Sequence, residues 1–445
     1  MKLNRLFLLA AMGLGLFACN DNDLVEGSDP NGTQEEGTTY VGFTLKFKDT
    51  NSRANGTEEG TAAEQNIKTA YVIMADASGN VEQIVSTAEK GTDYYVFQTT
   101  AGVHYFYAVV NPDVIPSKEG DNATAKKINA YFNTGVTLTV ANITSTTEGG
   151  NFMMASEKVL TANVEDGVTK NEALEGTKNC FSIDVERVAA KVTMTCENTT
   201  LTNATNNAGG TITTPKFTLK GGATMSYRMA QNPFAEITGN EWTNTSSATD
   251  VYVKTGEETG LHKKATPVYC LENLHDAATG YKQGNTTYLT LQTTFIPARV
   301  VNCNATAENG ELKDNPNATS STAVSFYVVK TGSLAGNYIL KSELDTFQGV
   351  DDTKFPNGVE SISAEYVGGT CWFGPIWIGQ TDADKENAPV VRNTWYNLKI
   401  KGITLPGEPS EPTIDSEQPL TPATNVAITL TVMPWNFIDR EISLQ

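Results

Sequence analysis

The chain has 445 residues, too many for one hydrophobic core and suited to two or three domains. Apolar residues make up 39% and charged residues 19%, enough core material to fold and too little charge for a disordered chain. A formal net charge of -19 repels phosphate backbones and anionic headgroups, which argues against nucleic acid and against membrane docking through basic patches.

In chain order, Lys2 and Arg5 precede a continuous apolar run from Leu6 to Phe17. The run is too short to span a bilayer and has the charged and apolar regions of a secretory signal. Leu16-Phe17-Ala18-Cys19 resembles a bacterial lipobox, in which Cys19 is acylated and becomes the mature N-terminus. Phe17 is bulkier than usual there, and a plain signal peptide with an incidental cysteine is the alternative. Asp21 and Asp23 are compatible with onward export to the cell surface. After the polar tether Asn20 to Thr38, Val41, Phe43, Leu45 and Phe47 alternate with polar residues, which predicts an amphipathic strand. Asp49 to Gly60, rich in Gly, Asn, Thr and Glu, reads as an exposed loop. It holds Arg53, the only arginine between Arg5 and Arg187, so an arginine-specific protease would find one accessible bond, Arg53-Ala54. Cutting it would detach both lipid and first strand.

Abundant Thr, Val and Tyr in short alternating runs, separated by Gly, Asn and Asp, place the body in the mainly β class. Only Ala125 to Phe132 has a helical pattern. The runs Tyr71 to Met74, Val103 to Val110, Thr287 to Phe295, Phe326 to Val329 and Trp395 to Ile400 are predicted core strands. In Phe181 to Met194 the apolar phase flips near Glu186-Arg187, which predicts a β-bulge or a strand buried on both faces. The Asn-, Thr- and Gly-rich stretch Leu201 to Gly210 suggests a domain boundary. Trp372 and Trp377 flank Pro375, and core or interdomain packing is favoured over an exposed patch.

The far end repeats the pattern of the start. Thr404 to Asn425 carries Pro406, Pro409, Pro412, Pro419 and Pro422, a density that favours an extended, semi-rigid spacer. Beyond it Val426, Ile428, Leu430 and Val432 fall at period two, the same number and spacing as in the first strand. Such a strand can fill the groove of another copy or fold back as the last strand of its own chain, and pattern alone weighs the two evenly.

No catalytic constellation is present. His104, His262 and His275 lie in no nucleophile or metal motif, and no Gly-x-Ser-x-Gly, phosphate loop or dinucleotide fingerprint occurs. Asp382, Asp384 and Glu386 lack the glycine and distal glutamate of a calcium loop. Cys180, Cys196, Cys270, Cys303 and Cys371 are odd in number and irregular in spacing, which favours buried thiols while leaving room for one disulfide. No enzyme activity, cofactor or metal is expected.

Several motifs in order carry a resemblance: the lipobox, the arginine loop, Val185-Glu186-Arg187-Val188-Ala189-Ala190-Lys191, Val268-Tyr269-Cys270-Leu271-Glu272-Asn273, Gly284-Asn285-Thr286-Thr287-Tyr288, Val390-Val391-Arg392-Asn393-Thr394-Trp395-Tyr396 and Val432-Met433-Pro434-Trp435. Together they resemble the Bacteroidetes fimbrillin family, and within it the minor fimbrillins that build a fimbrial shaft. The resemblance implies two tandem transthyretin-like β-sandwich domains, lipoprotein export, removal of the first strand by an arginine-specific protease and polymerisation by strand exchange. Carried onto this chain, it implies a signal at 1–19 ending in the lipidated Cys19 and a propeptide at 20–53 with processing at Arg53-Ala54. Sandwich domains at 54–205 and 206–403, a proline-rich linker at 404–425 and a donor strand at 426–445 that includes Trp435 would follow. Implied partners are further copies in a fibre, anchor and tip subunits, the protease, and surface ligands of a host or another bacterium. The implied location is the outer membrane as a precursor and then the cell-surface fimbrium. The alternative is a monomeric surface adhesin, fimbrial tip or glycan-binding lipoprotein.

Overall fold

The computed structural model describes residues 38–47, 64, 67–86, 94–117, 127–144, 152–196, 200–201, 209–243, 251–252, 254–255, 266–303, 311–320, 322–347, 355–381, 383–403, 405–421 and 426–434. The fold is mainly β, as the alternating patterns predict. The first group of strands is β1 (Thr38–Phe47), β2 (Ala70–Ala75), β3 (Val81–Ser86), β4 (Tyr94–Thr100), β5 (Gly102–Val110), β6 (Val136–Thr137), β7 (Met154–Ser156), β8 (Leu160–Val164) and β9 (Cys180–Arg187). The second runs β10 (Ala189–Cys196), β11 (Thr200–Leu201), β12 (Gly210–Lys220), β13 (Gly222–Ala223), β14 (Met225–Ser226), β15 (Trp242–Thr243), β16 (Val251–Tyr252), β17 (Lys254–Thr255), β18 (Val268–Leu271) and β19 (Tyr288–Pro297). It ends with β20 (Arg299–Val301), β21 (Leu312–Asp314), β22 (Phe326–Thr331), β23 (Tyr338–Leu340), β24 (Ser361–Ile362), β25 (Thr370–Trp377), β26 (Thr394–Ile403) and β27 (Val426–Pro434). The helical pattern at Ala125 to Phe132 becomes one short helix, Ile128–Phe132, which buries Ile128, Tyr131 and Phe132.

An eight-stranded sheet in the order β3-β2-β5-β7-β9-β1-β4, with β8 also on β5, forms the first lobe. In the second lobe one sheet runs β17-β10-β26-β27, with β18 also on β10, and faces another ordered β11-β12-β19-β25. Side chains from both of these sheets, Val192, Met194, Leu398 and Ile400 from one and Phe217, Leu291, Phe295 and Phe373 from the other, make one buried cluster. That is the core of a β-sandwich. Phe295, Phe326 and Tyr338 meet edge to face within it, at centroid distances of 5.1 to 5.6 Å.

The phase flip at Glu186-Arg187 has a larger cause than a bulge. The chain leaves the first sheet at Arg187, passes the fully buried Val188 and enters the second lobe at Ala189. One continuous apolar stretch therefore serves two cores, so the face that must be apolar changes where the sheet changes. The crossing lies ahead of Leu201 to Gly210, and β11 and β12, on either side of that stretch, both belong to the second lobe.

The lobes are joined by more than the chain. β6 pairs with β14 through Met225↔Thr137 and Ser226↔Val136. Arg228 from the second lobe makes a two-pronged pair with Asp113 of the first, at 2.8 and 2.7 Å, and its guanidinium lies 4.4 Å from the Tyr131 ring centroid. Arg392, 3% exposed, donates to Glu272 and to the carbonyls of Tyr227 and Arg228. This buried guanidinium is satisfied from several directions, as burial of a charge requires.

Candidate functional site

The predicted first strand occupies the inside of a sheet. β1 pairs antiparallel with β4 from Thr38↔Thr100 to Thr44↔Tyr94, and parallel with β9 from Gly42↔Cys180 to Phe47↔Val185. The two pairings are staggered, so only Gly42 to Thr44 are flanked on both sides. Val41 and Phe43 are fully buried and Leu45 is 8% exposed. Phe43 sits at the centre of an aromatic group, 4.6 Å from Phe106, 5.6 Å from Phe97 and 5.8 Å from Phe181 between ring centroids. Burying these three side chains contributes roughly 5 to 9 kcal/mol before entropy is counted. Without β1, the facing edges of β4 and β9 would lose their partner and the Phe97-Phe106-Phe181 surface its cover.

A polar clasp holds the N-terminal end of this strand. Asn179 donates its side-chain amide to the Tyr40 carbonyl at 3.0 Å, to the Glu165 carbonyl at 2.9 Å and to Thr39 Oγ1 at 3.3 Å, while accepting from Glu165 N at 2.8 Å. Thr39 Oγ1 in turn donates to the Glu165 carbonyl at 2.7 Å and accepts from Val168 N at 2.9 Å. Asn179 lies in the left-handed region, φ 47°, a conformation that asparagine tolerates better than most residues. Farther along, Thr44 Oγ1 and Ser182 Oγ are 3.0 Å apart. The helix Lys170–Leu174 follows the clasp and opens with a capping box between Thr169 and Glu172. The Thr169 backbone amide, then Lys178 and the Thr169 hydroxyl, hold the Glu172 carboxyl down to about 2.

A second polar cluster lies between the lobes. Glu64, fully buried, accepts from Lys191 Nζ at 2.7 Å and from the Tyr269 hydroxyl at 2.7 Å, and its carbonyl accepts from Arg187 Nε at 3.1 Å. The Lys191 ammonium also lies 4.2 Å from the Trp395 ring centroid. Burial pushes the Arg187 guanidinium down to about 10 against the upward pull of Glu64 and Tyr269. Burial, with Glu64 adding to it, raises Tyr269 so far that its phenol stays neutral and donating.

At the far end, the backbone of β27 pairs antiparallel with β26, from Thr394↔Pro434 to Ile403↔Val426. The fold-back arrangement is the one this structure contains, with β27 at the edge of its sheet. The proline-rich stretch departs from the expected free spacer, since residues 405–421 dock along the second lobe. Glu408 and Trp372 exchange backbone hydrogen bonds at 2.7 and 2.8 Å, Gln283 N donates to the Gln418 carbonyl at 3.0 Å, and Trp377 Nε1 donates to the Thr421 carbonyl at 2.6 Å. Glu411 pairs with Lys220, and Leu420 is buried against Tyr288 and Trp377. Its backbone groups and side chains find partners on the body that composition does not reveal, and it turns at Asp415–Gln418.

Cys19, Arg53, Ala54 and Trp435 lie outside the described residues, as do the side chains of Phe47, Val426, Ile428, Leu430 and Val432. His104 is nearly buried in β5, with Nε2 2.9 Å from the Thr100 carbonyl. His275 is wedged between Trp242 and Tyr281. The Asp384 carboxylate accepts from Glu386 N, Asn387 N and Asn387 Nδ2, so it closes a turn. Cys180, Cys270, Cys303 and Cys371 are free thiols. Trp377 is buried and Trp372 half-buried. Among the described residues no group of three or more His, Cys, Asp or Glu could hold a metal ion. Thr39, Glu64, Glu165, Asn179 and Ser182 escaped the sequence reading, because isolated polar residues in turns and strand ends carry no periodic signal.

Residues 364–441 match the family model for the C-terminal region of fimbrillin, the type IV major fimbrial subunit protein. By this region the chain resembles the fimbrillins. The fimbrillin match takes in β25, β26, β27 and the docked proline-rich stretch. No curated protein sequence matches the chain. Among solved structures, the chain is similar to a fimbrilin (FimA) from Porphyromonas gingivalis W83, at 16% identity and a TM-score of 0.48, over 91% of this chain and 99% of that one. It is similar also to a protein assigned to cell adhesion from Parabacteroides distasonis, at 13% identity and a TM-score of 0.47, over 91% and 99%. The tip fimbrial protein Mfa3 from Porphyromonas gingivalis aligns at 14% identity and a TM-score of 0.41, over 89% and 100%.

Proposed function

We propose that this chain is a fimbrillin and serves as a structural shaft subunit of a cell-surface fimbria. In this reading it is exported as a lipoprotein acylated at Cys19 and cut between Arg53 and Ala54. It then polymerises when residues 426–445 of one copy enter the place of β1 in the next. The observation that carries the reading is the placement of β1 inside a sheet between β4 and β9, at the end of a segment whose arginine lies just beyond it. A strand so placed can leave a complete groove behind it.

The direction of exchange follows from edge chemistry. Among the described residues of its own chain, β27 has one neighbour, β26. In the groove a strand is flanked by β4 and by β9, and it covers an aromatic floor, so more backbone groups are paired and more apolar surface leaves water. The docked stretch 405–421 sets the point from which the donor departs, with Trp377 and Thr421 at its end. Glu64 lies after the processing bond and stays with the mature chain, bound to Lys191 between the lobes.

A second reading, a monomeric surface adhesin, fimbrial tip or glycan-binding lipoprotein, draws on the pairing of β27 within its own chain. The N-terminal residue of the surface-exposed protein separates the two. Ala54 is expected for a processed, assembling subunit, whereas lipidated Cys19 throughout the population would overturn processing and favour the anchored monomer.

A further inference from the structure

The hydroxyl groups that seat β1 recur in the C-terminal segment at the same spacing from its apolar residues. Laid on β1 so that Val426, Ile428, Leu430 and Val432 take the positions of Val41, Phe43, Leu45 and Phe47, the C-terminal segment puts Thr424 at the position of Thr39. The same alignment puts Thr429 at the position of Thr44. At both positions of β1 a side-chain oxygen bonds to the walls of the groove, Thr39 to Glu165, Val168 and Asn179, and Thr44 to Ser182.

Other registers lose this agreement. A shift by one residue turns the apolar side chains to the wrong face. Moving the donor forward by two places Val426 in the clasp and Pro434 opposite Phe47, while moving it back by two places Pro422 in the clasp and Thr424 in the buried position of Val41. An aliphatic side chain in the clasp leaves the buried Val168 amide without the hydroxyl that accepts from it and takes one bond each from Glu165 and Asn179. The favoured register also spares the ladder, because residues 423–432 contain no proline and Pro422 and Pro434 fall just outside the length of β1.

We infer that the groove selects the register of the incoming strand through its polar walls. The occupant is residues 423–432 of a second copy of this chain, running in the direction of β1, with Thr424 in the Glu165-Val168-Asn179 clasp and Thr429 on Ser182. The inference rests on the strand-exchange reading above and adds to it a single alignment. The apolar floor provides most of the adhesion but repeats every two residues, whereas the clasp and Ser182 occur once each.

Paired cysteines test the register in the full chain, cut after Arg53 and allowed to assemble, in a Cys180→Ser background that removes the thiol two residues from Ser182. With Ser182→Cys present, Thr429→Cys is expected to give reduction-sensitive ladders on oxidation, since the two oxygens it replaces in register are 3.0 Å apart in the uncut chain. Ala427→Cys and Thr431→Cys, each one step away on the same face, are expected to leave the chain uncross-linked. Ladders through position 427 or 431 in place of 429 overturn the register and leave strand exchange standing. Failure of position 429 to cross-link also overturns the register. If noncovalent ladders then persist after deletion of residues 426–445, the exchange itself falls. Thr424→Val is expected to weaken assembly at least fivefold and Thr424→Ser to restore it, and equal assembly by both variants would remove the clasp from the account.

Discussion

Lys191 and Glu64 meet at 2.7 Å between the two lobes, with side chains 6% and 0% exposed. The Arg187 guanidinium also faces the Glu64 carboxylate, and the Tyr269 hydroxyl donates to it. Removing one member strands the other away from water, so Glu64→Ala is expected to destabilise the chain by about 3–5 kcal/mol. The double variant Glu64→Leu/Lys191→Met should recover part of that loss, since Lys191 is then no longer stranded while Arg187 keeps its bonds to the carbonyl of residue 64 and to Asn393. Denaturant midpoints of the wild type, the single and the double variants check this. A double variant no more stable than the single one would show that the pair is not the origin of the loss.

Phe43 gives a prediction that depends on processing. In the uncut chain, Phe43→Ala removes the ring that touches Phe97, Phe106 and Phe181, and is expected to cost about 3–5 kcal/mol. In the assembled fibre, from which the strand has departed, the same change should have no effect on resistance to denaturant. An equal loss in uncut chain and fibre would mean that β1 remains in place after assembly.

Acid should loosen the end of the clasp. The Glu172 carboxyl sits at about 2, below its ordinary value of 4.5, so the folded state favours the ionised form. Its contribution is fully present above about pH 4.5 and is lost as the pH falls through about 2. Relative to the intrinsic exchange rate at each pH, amide protection around residues 169–175 should fall over that window in the wild type, and Glu172→Gln should show lower protection at neutral pH with little further change on acidification. A wild-type profile that is flat from pH 5 to 2 would contradict the assignment.

Gly407 lets the proline-rich stretch lie against the body. A Cβ at this position would collide with the Trp372 carbonyl, next to the bonds that Glu408 makes to Trp372. Gly407→Ala is therefore expected to undock the start of the stretch and to make residues 405–421 more sensitive to proteolysis by tenfold or more. Unchanged cleavage would show that the body tolerates the methyl group without releasing the segment.

Much of the fold was legible because period-two patterning reports which face of a strand is buried, as at Val41 and Phe43 and through Thr287 to Phe295. The phase flip at Glu186-Arg187 was visible too, but sequence alone could not separate a bulge from a change of sheet, since both reverse the apolar face. Three of the motifs that carried the family resemblance, at 185–191, 268–273 and 390–396, meet in the fold. Arg187 bonds to Asn393, Lys191 packs on Trp395, Glu272 pairs with Arg392, and Asn273 exchanges backbone bonds with Val390. They line the polar seam between the lobes, where a bond partner lies far away in the chain and no local pattern names it. The clasp was illegible for the same reason, with Thr39 and Asn179 separated by most of the first lobe. The docking of 405–421 was hidden because proline density reports an extended backbone and says nothing of what lies beside it.

Polymerisation is assigned to the C-terminal strand. Full-length protein cut after Arg53 is expected to form ladders of subunits on gels without added partners, and a chain lacking residues 426–445, cut in the same way, is expected to remain monomeric. Ladders of undiminished length from the truncated chain would contradict polymerisation through this strand.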